Sequence, residues 1–447
     1  MNQLALSSLL CVLWSSVLLA ETHSLSEPVS DERVFLVENR LEVTGQLETA
    51  LGGGKTAALQ LDVDARFQYR ERRLPGNGRD AEALRSLRSF ERAEAEIKVA
   101  GQTTSSRLRP GRTLLVAEGR REGVRLFSPD GPLTFDEVEL LQLPGDSLAV
   151  LGLLPPAPVQ VGQDWKPEGW VLQTLTGTEA AVKSELSCRL DRIRGDVAEV
   201  SFSGRIEGAT DGAVTTITLS GRYEYDLRRR FLTRVELTQK EQRAVGAVSA
   251  GLDVAAKAVV TRRLADSPGP LTDTAARSVP LEPQPQSYRL GFQSPWNVTF
   301  EYERGWHVFH NSAQVAVLRL LDQGSLIAQC NITQVPAAPA GRHTPPERFQ
   351  ADIRSSLGES LREITAAEPL LSRDGRYLFR VIAEGQANDV EMVWIYYLVA
   401  DASGRQLSFV FAVEKGLREK LAGRDRDIIS SLEFLKPPKR PTEARRE

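Results

Sequence analysis

Polar and apolar residues take turns along extended stretches of the first half of this chain. In TAALQLDVDARFQYRER, Leu59, Leu61, Val63, Ala65, Phe67 and Tyr69 share one parity, and Gln60, Asp62, Asp64, Arg66, Gln68 and Arg70 the other. Side chains alternate between two faces on an extended backbone, so the segment predicts a long strand with one dry and one wet face. Runs of the same kind cover Arg33–Leu47, Ala93–Val99, Val182–Ile193, Ala198–Glu207, Val214–Asp226 and Phe231–Gln242. Short turns separate them: Gly52-Gly53-Gly54, Gly195-Asp196 and Asp211-Gly212. Strands joined so tightly run antiparallel. Residues 25–265 therefore read as a β-rich domain, a large curved antiparallel sheet or partly open β-barrel. Two helices interrupt it: a short one at Asp80 to Arg88, and one at Thr134 to Leu143, where Thr134 and Glu137 have capping-box spacing.

Prolines at 268, 270, 280, 283 and 285 break this regime. Proline lacks a backbone donor and has a fixed φ, so residues 266–287 read as a semi-extended linker. Beyond it, Phe292–Tyr302, Trp306–His310, Gln314–Leu320 and Leu326–Val335 read as strands. From Pro346 to Thr365, Phe349, Ile353, Leu357, Leu361 and Ile364 recur at helical spacing, which predicts an amphipathic helix. Tyr377–Glu384, Val390–Val399 and Gln406–Val413 return to strand, and Leu417 to Leu432 to helix. The expectation for 288–436 is an α+β sandwich, an antiparallel sheet with packing helices, followed by a frayed basic tail at 437–447.

The chain opens MNQLALSSLLCVLWSSVLLA, with no charged side chain before Glu21. The apolar run is short for a membrane span, and Ala20 is a small residue at a plausible cleavage point, so residues 1–20 read as a secretory signal peptide. Cys11 lies inside the run, a poor position for lipid attachment. The expected location is secreted or periplasmic, with no transmembrane segment after cleavage. Cys188 and Cys330 fall among apolar residues of one strand parity, as small core residues do, in different domains. A net charge of −3 gives no field to steer nucleic acid.

Candidate chemistry is thin. Gly52–Thr56, GGGKT, lacks the earlier glycine of a phosphate loop (Thr49 stands there), and strand follows it rather than helix, so a hairpin turn is expected. His307 and His310 invite a metal reading, but residues three apart on a regular strand face opposite sides, and zinc needs nitrogens about 2.0–2.1 Å from one ion. Asp62/Asp64 and Asp389/Glu391 share strand faces, as solvated carboxylates commonly do. Arg228-Arg229-Arg230 falls in an expected turn. Asn297 and Asn331 begin Asn-x-Thr glycosylation patterns within expected strands. No Gly-x-Ser-x-Gly, His-Glu-x-x-His or Cys-x-x-Cys occurs. No catalytic, cofactor-binding or metal-ligating residue is assigned, and no cofactor is expected.

Gly162 and Trp165, with the Tyr225 to Leu237 strand–turn–strand, resemble a loosely defined group of uncharacterised bacterial exported proteins. The aromatic opening Pro295–Trp306, the central amphipathic helix and the closing Ile428-Ile429-Ser430-Ser431-Leu432-Glu433-Phe434 resemble the PsbP-like fold over Tyr288 to Leu435. That resemblance implies an α/β/α sandwich and a binding or assembly role. The expectation is an exported, non-catalytic binding or assembly protein of the cell envelope. Its unknown protein, lipid or glycan ligand would sit on the concave face of the N-terminal sheet. The alternatives are a secreted hydrolase using surface carboxylates and a structural envelope component.

Overall fold

The computed structural model describes residues 21–436 apart from 29, 53, 54, 77 and 373. The signal-peptide and tail readings lie outside the described residues. In chain order the first half holds β1 (Thr22–His23), β2 (Val34–Gly52), β3 (Lys55–Arg73), β4 (Arg85–Val99), β5 (Gln102–Arg107), β6 (Leu114–Arg120) and β7 (Gly123–Phe127). The connection that follows contains α1 (Phe135–Leu141), β8 (Val159–Gln160), β9 (Asp164–Trp165) and α2 (Gly169–Thr176). Then come β10 (Ala180–Arg194), β11 (Val197–Thr210), β12 (Ala213–Asp226), β13 (Phe231–Arg243) and β14 (Gly251–Leu264).

Except for β1 and β8, which pair with each other, these strands form one antiparallel sheet in the order β7-β6-β4-β3-β2-β14-β13-β12-β11-β10-β9, with β5 beside the far half of β4. The two ends do not meet, so the sheet is not closed into a barrel. The expected alternation holds: on β3, Leu61, Ala65, Phe67 and Tyr69 are buried, and Asp64, Arg66 and Gln68 are exposed. The dry face packs against the 133–176 connection, whose Leu140, Leu141, Leu148, Val150, Leu153, Val171 and Leu172 belong to the same core.

Two sequence readings of this half differ from the structure, and one strand went unread. Asp80–Ala83 is a single 3-10 turn, and Arg85 already belongs to β4. The Thr134 capping box forms as expected and starts α1. β14 was not legible, because its Ala255, Ala256, Lys257 and Ala258 carry weak strand preference. The proline-rich segment packs rather than spans. It contains α3 (Asp273–Ser278), and its Leu271 is fully buried with Val34, Leu74, Leu87, Val116 and Phe127 on the outer face of the sheet.

The second half holds β15 (Leu290–Gln293), β16 (Val298–Tyr302), β17 (Trp306–Asn311), β18 (Val315–Asp322), β19 (Ser325–Val335), α4 (Pro346–Leu357), β20 (Leu361–Pro369), β21 (Tyr377–Ala387), β22 (Val390–Ala400), β23 (Gln406–Glu414), α5 (Arg418–Leu421), α6 (Arg424–Ser431) and β24 (Glu433–Phe434). Seven of these strands form an antiparallel sheet in the order β17-β18-β19-β23-β22-β21-β20. β22 lies near its centre and is buried on both faces, which is why VEMVWIYYLVA reads as continuous apolar sequence. Its Val393, Ile395, Tyr397 and Val399 share a core with Leu421, Ile428 and Ile429 of α5 and α6. Trp394, Tyr396 and Leu398 share the other with Phe349 and Ile353 of α4. Both expected helices are shorter than their apolar spacing. Gly358 at φ 52° stops α4, so that Leu361 begins a strand, and Gly423 at φ 82° separates α5 from α6.

Candidate functional site

Three zones run along the dry face of the N-terminal sheet. The first, at the end where β2 starts, is sealed by charge. Glu71, Arg73, Arg88 and Arg262 all point inward and are buried. Arg88 donates to both oxygens of Asp146 at 2.7 Å, and its Nε donates to Glu71 Oε1 at 2.9 Å. Ser86 and Ser147 also donate to Glu71 Oε1, at 3.0 and 2.9 Å. Glu27, from the segment that leads into the sheet, sits between Arg73 and Arg262, accepting from Arg262 Nη2 at 2.8 Å. Three guanidinium groups thus face three carboxylates out of water.

Burial alone raises the Glu27 carboxyl, but Arg262 and Arg73 more than offset it, and the net pKa is lowered. Asp146 behaves likewise, with Arg88 as the overriding partner. Arg73 is lowered to about 10 by burial and by repulsion from Arg262. No sequence motif marks this network. Its one sequence signal is parity: Glu71 and Arg73 continue the dry register of Leu61 through Tyr69.

In the middle zone the floor is made of small residues, including Ala65, Ala95, Ala256 and Ala258, all buried. Two amide side chains stand on the same face, Asn39 in this zone and Gln239 two strands away, level with Val43. Asn39 is 1% exposed, and neither its Nδ2 nor its Oδ1 has a hydrogen-bond partner. Gln239 is 5% exposed; its Nε2 approaches Glu241 Oε2 at 3.4 Å, and its Oε1 has no partner. Asn39 pairs across the ladder with Phe67 and Val260, and Gln239 with Ala256 and Leu219, so both sit among apolar neighbours.

In the third zone, toward the β2–β3 turn, the aliphatic rows lose their cover. Val43, Val63 and Ile97 face one another across three strands, with Leu47 and Leu59 beyond them, and all five are half-buried. At this end the second half of the chain meets the sheet. Gly212 in the β11–β12 turn abuts Gly324, where an added Cβ would lie 2.2 Å from the Gly324 carbonyl oxygen. Arg319 donates to the Ala247 carbonyl in the β13–β14 turn.

Ionisable groups gather at this junction. His307 Nδ1 lies 4.0 Å from Asp211 Oδ1, and Arg243 Nη1 lies 3.8 Å from Asp211 Oδ2. Glu179 accepts from the Asp211 amide at 3.0 Å. Glu139 on α1 is exposed at the surface, yet protein packed around its carboxyl strips enough hydration, with repulsion from Asp211, to push it up to about 7. Burial lowers His307, with Asp211 opposing.

The two histidines differ from the regular-strand expectation. A β-bulge between Val308 and His310 sets His307 opposite Arg319 and His310 opposite Val317, so both lie on one face. Among the described residues, no group of three or more potential ligands is placed to hold a metal ion. Asp389 lies in the β21–β22 turn at φ 65°, not on a strand with Glu391, because Asn388-Asp389 accepts the left-handed backbone that the tight hairpin requires. Asn297 likewise occupies an exposed turn at φ 55°, whereas Asn331 is half-buried in β19. Asp64 is exposed and paired with Arg66 at 3.2 Å. Gly52 pairs with Lys55, joining antiparallel strands as expected of GGGKT; Gly53 and Gly54 lie outside the described residues. Arg228 to Arg230 form the β12–β13 turn. Cys188 and Cys330 are free and buried, and burial pushes the Cys188 thiol up to about 12. A cleft of about 540 Å³ on the outer surface is lined by ion-paired side chains such as Arg120–Glu82 and Arg121–Asp80.

No protein-family model and no curated protein matches the chain. Among solved structures, cyanobacterial PsbP from Synechocystis sp. PCC 6803 is similar at 14% identity over 33% of this chain and 92% of that one, with a TM-score of 0.27. A crystal structure from Bacteroides thetaiotaomicron VPI-5482 is similar at 15% identity over 33% of this chain and 48% of that one, with a TM-score of 0.25. The chain thus spans about half the length of the Bacteroides protein. Lipovitellin is similar at 8% identity over 53% of this chain and 25% of that one, with a TM-score of 0.28. At these scores the likenesses are partial, and the C-terminal architecture rests on its own strand order and packing.

Proposed function

We propose that this protein is an exported, non-catalytic binding or assembly factor of the cell envelope that takes a largely apolar ligand on the dry face of its N-terminal sheet. The supporting observation is the half-buried aliphatic zone of Val43, Leu47, Leu59, Val63 and Ile97, continuous with a buried face that is sealed by charge at the other end. Apolar area left open on a soluble domain is kept where a partner covers it. Aliphatic side chains offer nothing to sugar hydroxyls, which favours an acyl chain over a glycan among the envelope ligands. The C-terminal domain, at the open end, serves as a second docking module.

The test is binding of Nile red, a neutral solvatochromic dye, to the full chain. Wild type should bind, and Val63→Asp should weaken binding at least about tenfold, since a charge in this apolar row loses hydration. Absence of dye binding by wild type, or equal binding by both proteins, would overturn the reading. A second reading, a hydrolase, is favoured only by the raised Glu139 carboxyl near Asp211. It requires turnover of a chromogenic ester or glycoside that Glu139→Gln abolishes.

A further inference from the structure

Resting on that reading, we propose that the middle of the dry face holds the head of a long-chain amphiphile whose polar group is uncharged, with Asn39 as its hydrogen-bonding partner. Buried amides are nearly always satisfied, and one left without a partner signals a missing water or ligand. Asn39 has a free donor and a free acceptor on the dry face, whereas Gln239, level with Val43 and two strands away, is too distant to share the same head. Three observations converge on a chain with a polar end. Small side chains at Ala65 and Ala258, two residues on from the ladder partners of Asn39, with Ala95 and Ala256 beyond them, thin the floor between Asn39 and the aliphatic zone. The aliphatic zone from Val43 to Leu47 leads away from Asn39 toward solvent. From Leu47 to Asn39 the strand advances eight residues, about 27 Å at the usual rise, a span suited to an extended acyl chain.

The head must be neutral. Asn39 is itself uncharged, and the buried arginines at the sealed end, Arg73, Arg88 and Arg262, are already matched by Glu27, Glu71 and Asp146. An anionic head in this zone would lose its hydration without gaining a counter-charge, a cost that exceeds a few hydrogen bonds. A hydroxyl, or an amide that carries an N–H, both donates and accepts and remains neutral, which fits the paired functions of Asn39; an ester can only accept.

Displacement of Nile red from the full chain by monooleoylglycerol, oleate and hexadecane tests this. Monooleoylglycerol should displace the dye roughly tenfold more effectively than either of the others, about the worth of one buried hydrogen bond. Asn39→Leu should erase that preference while leaving hexadecane displacement unchanged. It should also keep or raise the melting temperature, because an apolar side chain replaces an unsatisfied one. A merely structural asparagine would lower the melting temperature and leave ligand preference intact. Equal displacement by oleate, or an unchanged preference in Asn39→Leu, overturns the head-group assignment even though the dye still binds. Failure of wild type to bind the dye removes the reading beneath it.

Discussion

Glu27 carries more of the fold than its place near the start of the sheet advertises. Its side chain is 0% exposed and is the carboxylate between Arg73 and Arg262. Removing one partner of a buried ion pair leaves an uncompensated charge, which costs about 3–5 kcal/mol, whereas the intact pair contributes far less. Glu27→Gln should therefore lower the melting temperature sharply. Glu27→Gln combined with Arg262→Met should recover part of the loss, because one uncompensated charge is withdrawn. Thermal unfolding of the two variants checks this, and a double variant no more stable than the single would contradict it. The sign with pH follows from the lowered carboxyls. Glu27 and Asp146 titrate below their ordinary values of 4.5 and 3.8, so the stability they supply is complete above pH 4.5 and is lost as pH falls through their folded values.

Leu271 supplies the corresponding test for an element. Its side chain is fully buried against Val34, Leu87, Val116 and Phe127. Arg72 donates to its carbonyl at 3.1 Å and pairs with Asp273 at 2.7 Å. If the proline-rich segment is a packed strap, Leu271→Ala should cost about 2–5 kcal/mol, the range for emptying a leucine site. It should also expose the 266–287 peptide to limited proteolysis. A free linker would show neither change. Proline placement identified this segment as a break in the sheet but said nothing of Leu271, whose role depends on a groove formed by four distant strands. The long strands were legible because period-two alternation is local. The ends of α4 and α6 and the bulge at His310 were not, since apolar spacing runs on past a glycine at positive φ and a one-residue insertion leaves no compositional trace. The dry-face charges were legible only by extending parity past Tyr69, against the expectation that arginine and glutamate mark a wet face. Asn39 hid in the same way, on the dry parity of Val37 and Leu41.

At the scale of the whole molecule the two halves form one packed unit, and their junction should respond to pH. One hydrophobic core is continuous across them, Leu133 bridges to Leu290, and Tyr288 donates to Glu118 at 2.9 Å. Around the junction stand Glu139 and Asp136 on α1, Asp211 and Glu179 beside the turn, Arg243 and Glu241 on β13, and His307 and Arg319 from β17 and β18. Glu139 titrates near 7 in the folded protein against an ordinary 4.5. As pH falls from about 7 to 4.5, the folded state takes up a proton that the unfolded state does not, and stability rises. His307 is lowered from 6.5, so below that value the unfolded chain protonates first and stability falls. The two contributions oppose each other in wild type, and single variants separate them. In melting curves at pH 8, 6.5 and 5, Glu139→Gln should lose more stability on acidification than wild type, and His307→Asn should lose less or gain. Profiles that superimpose on wild type would mean that both side chains are hydrated as in the unfolded chain, and that the junction is open to water rather than closed around Asp211.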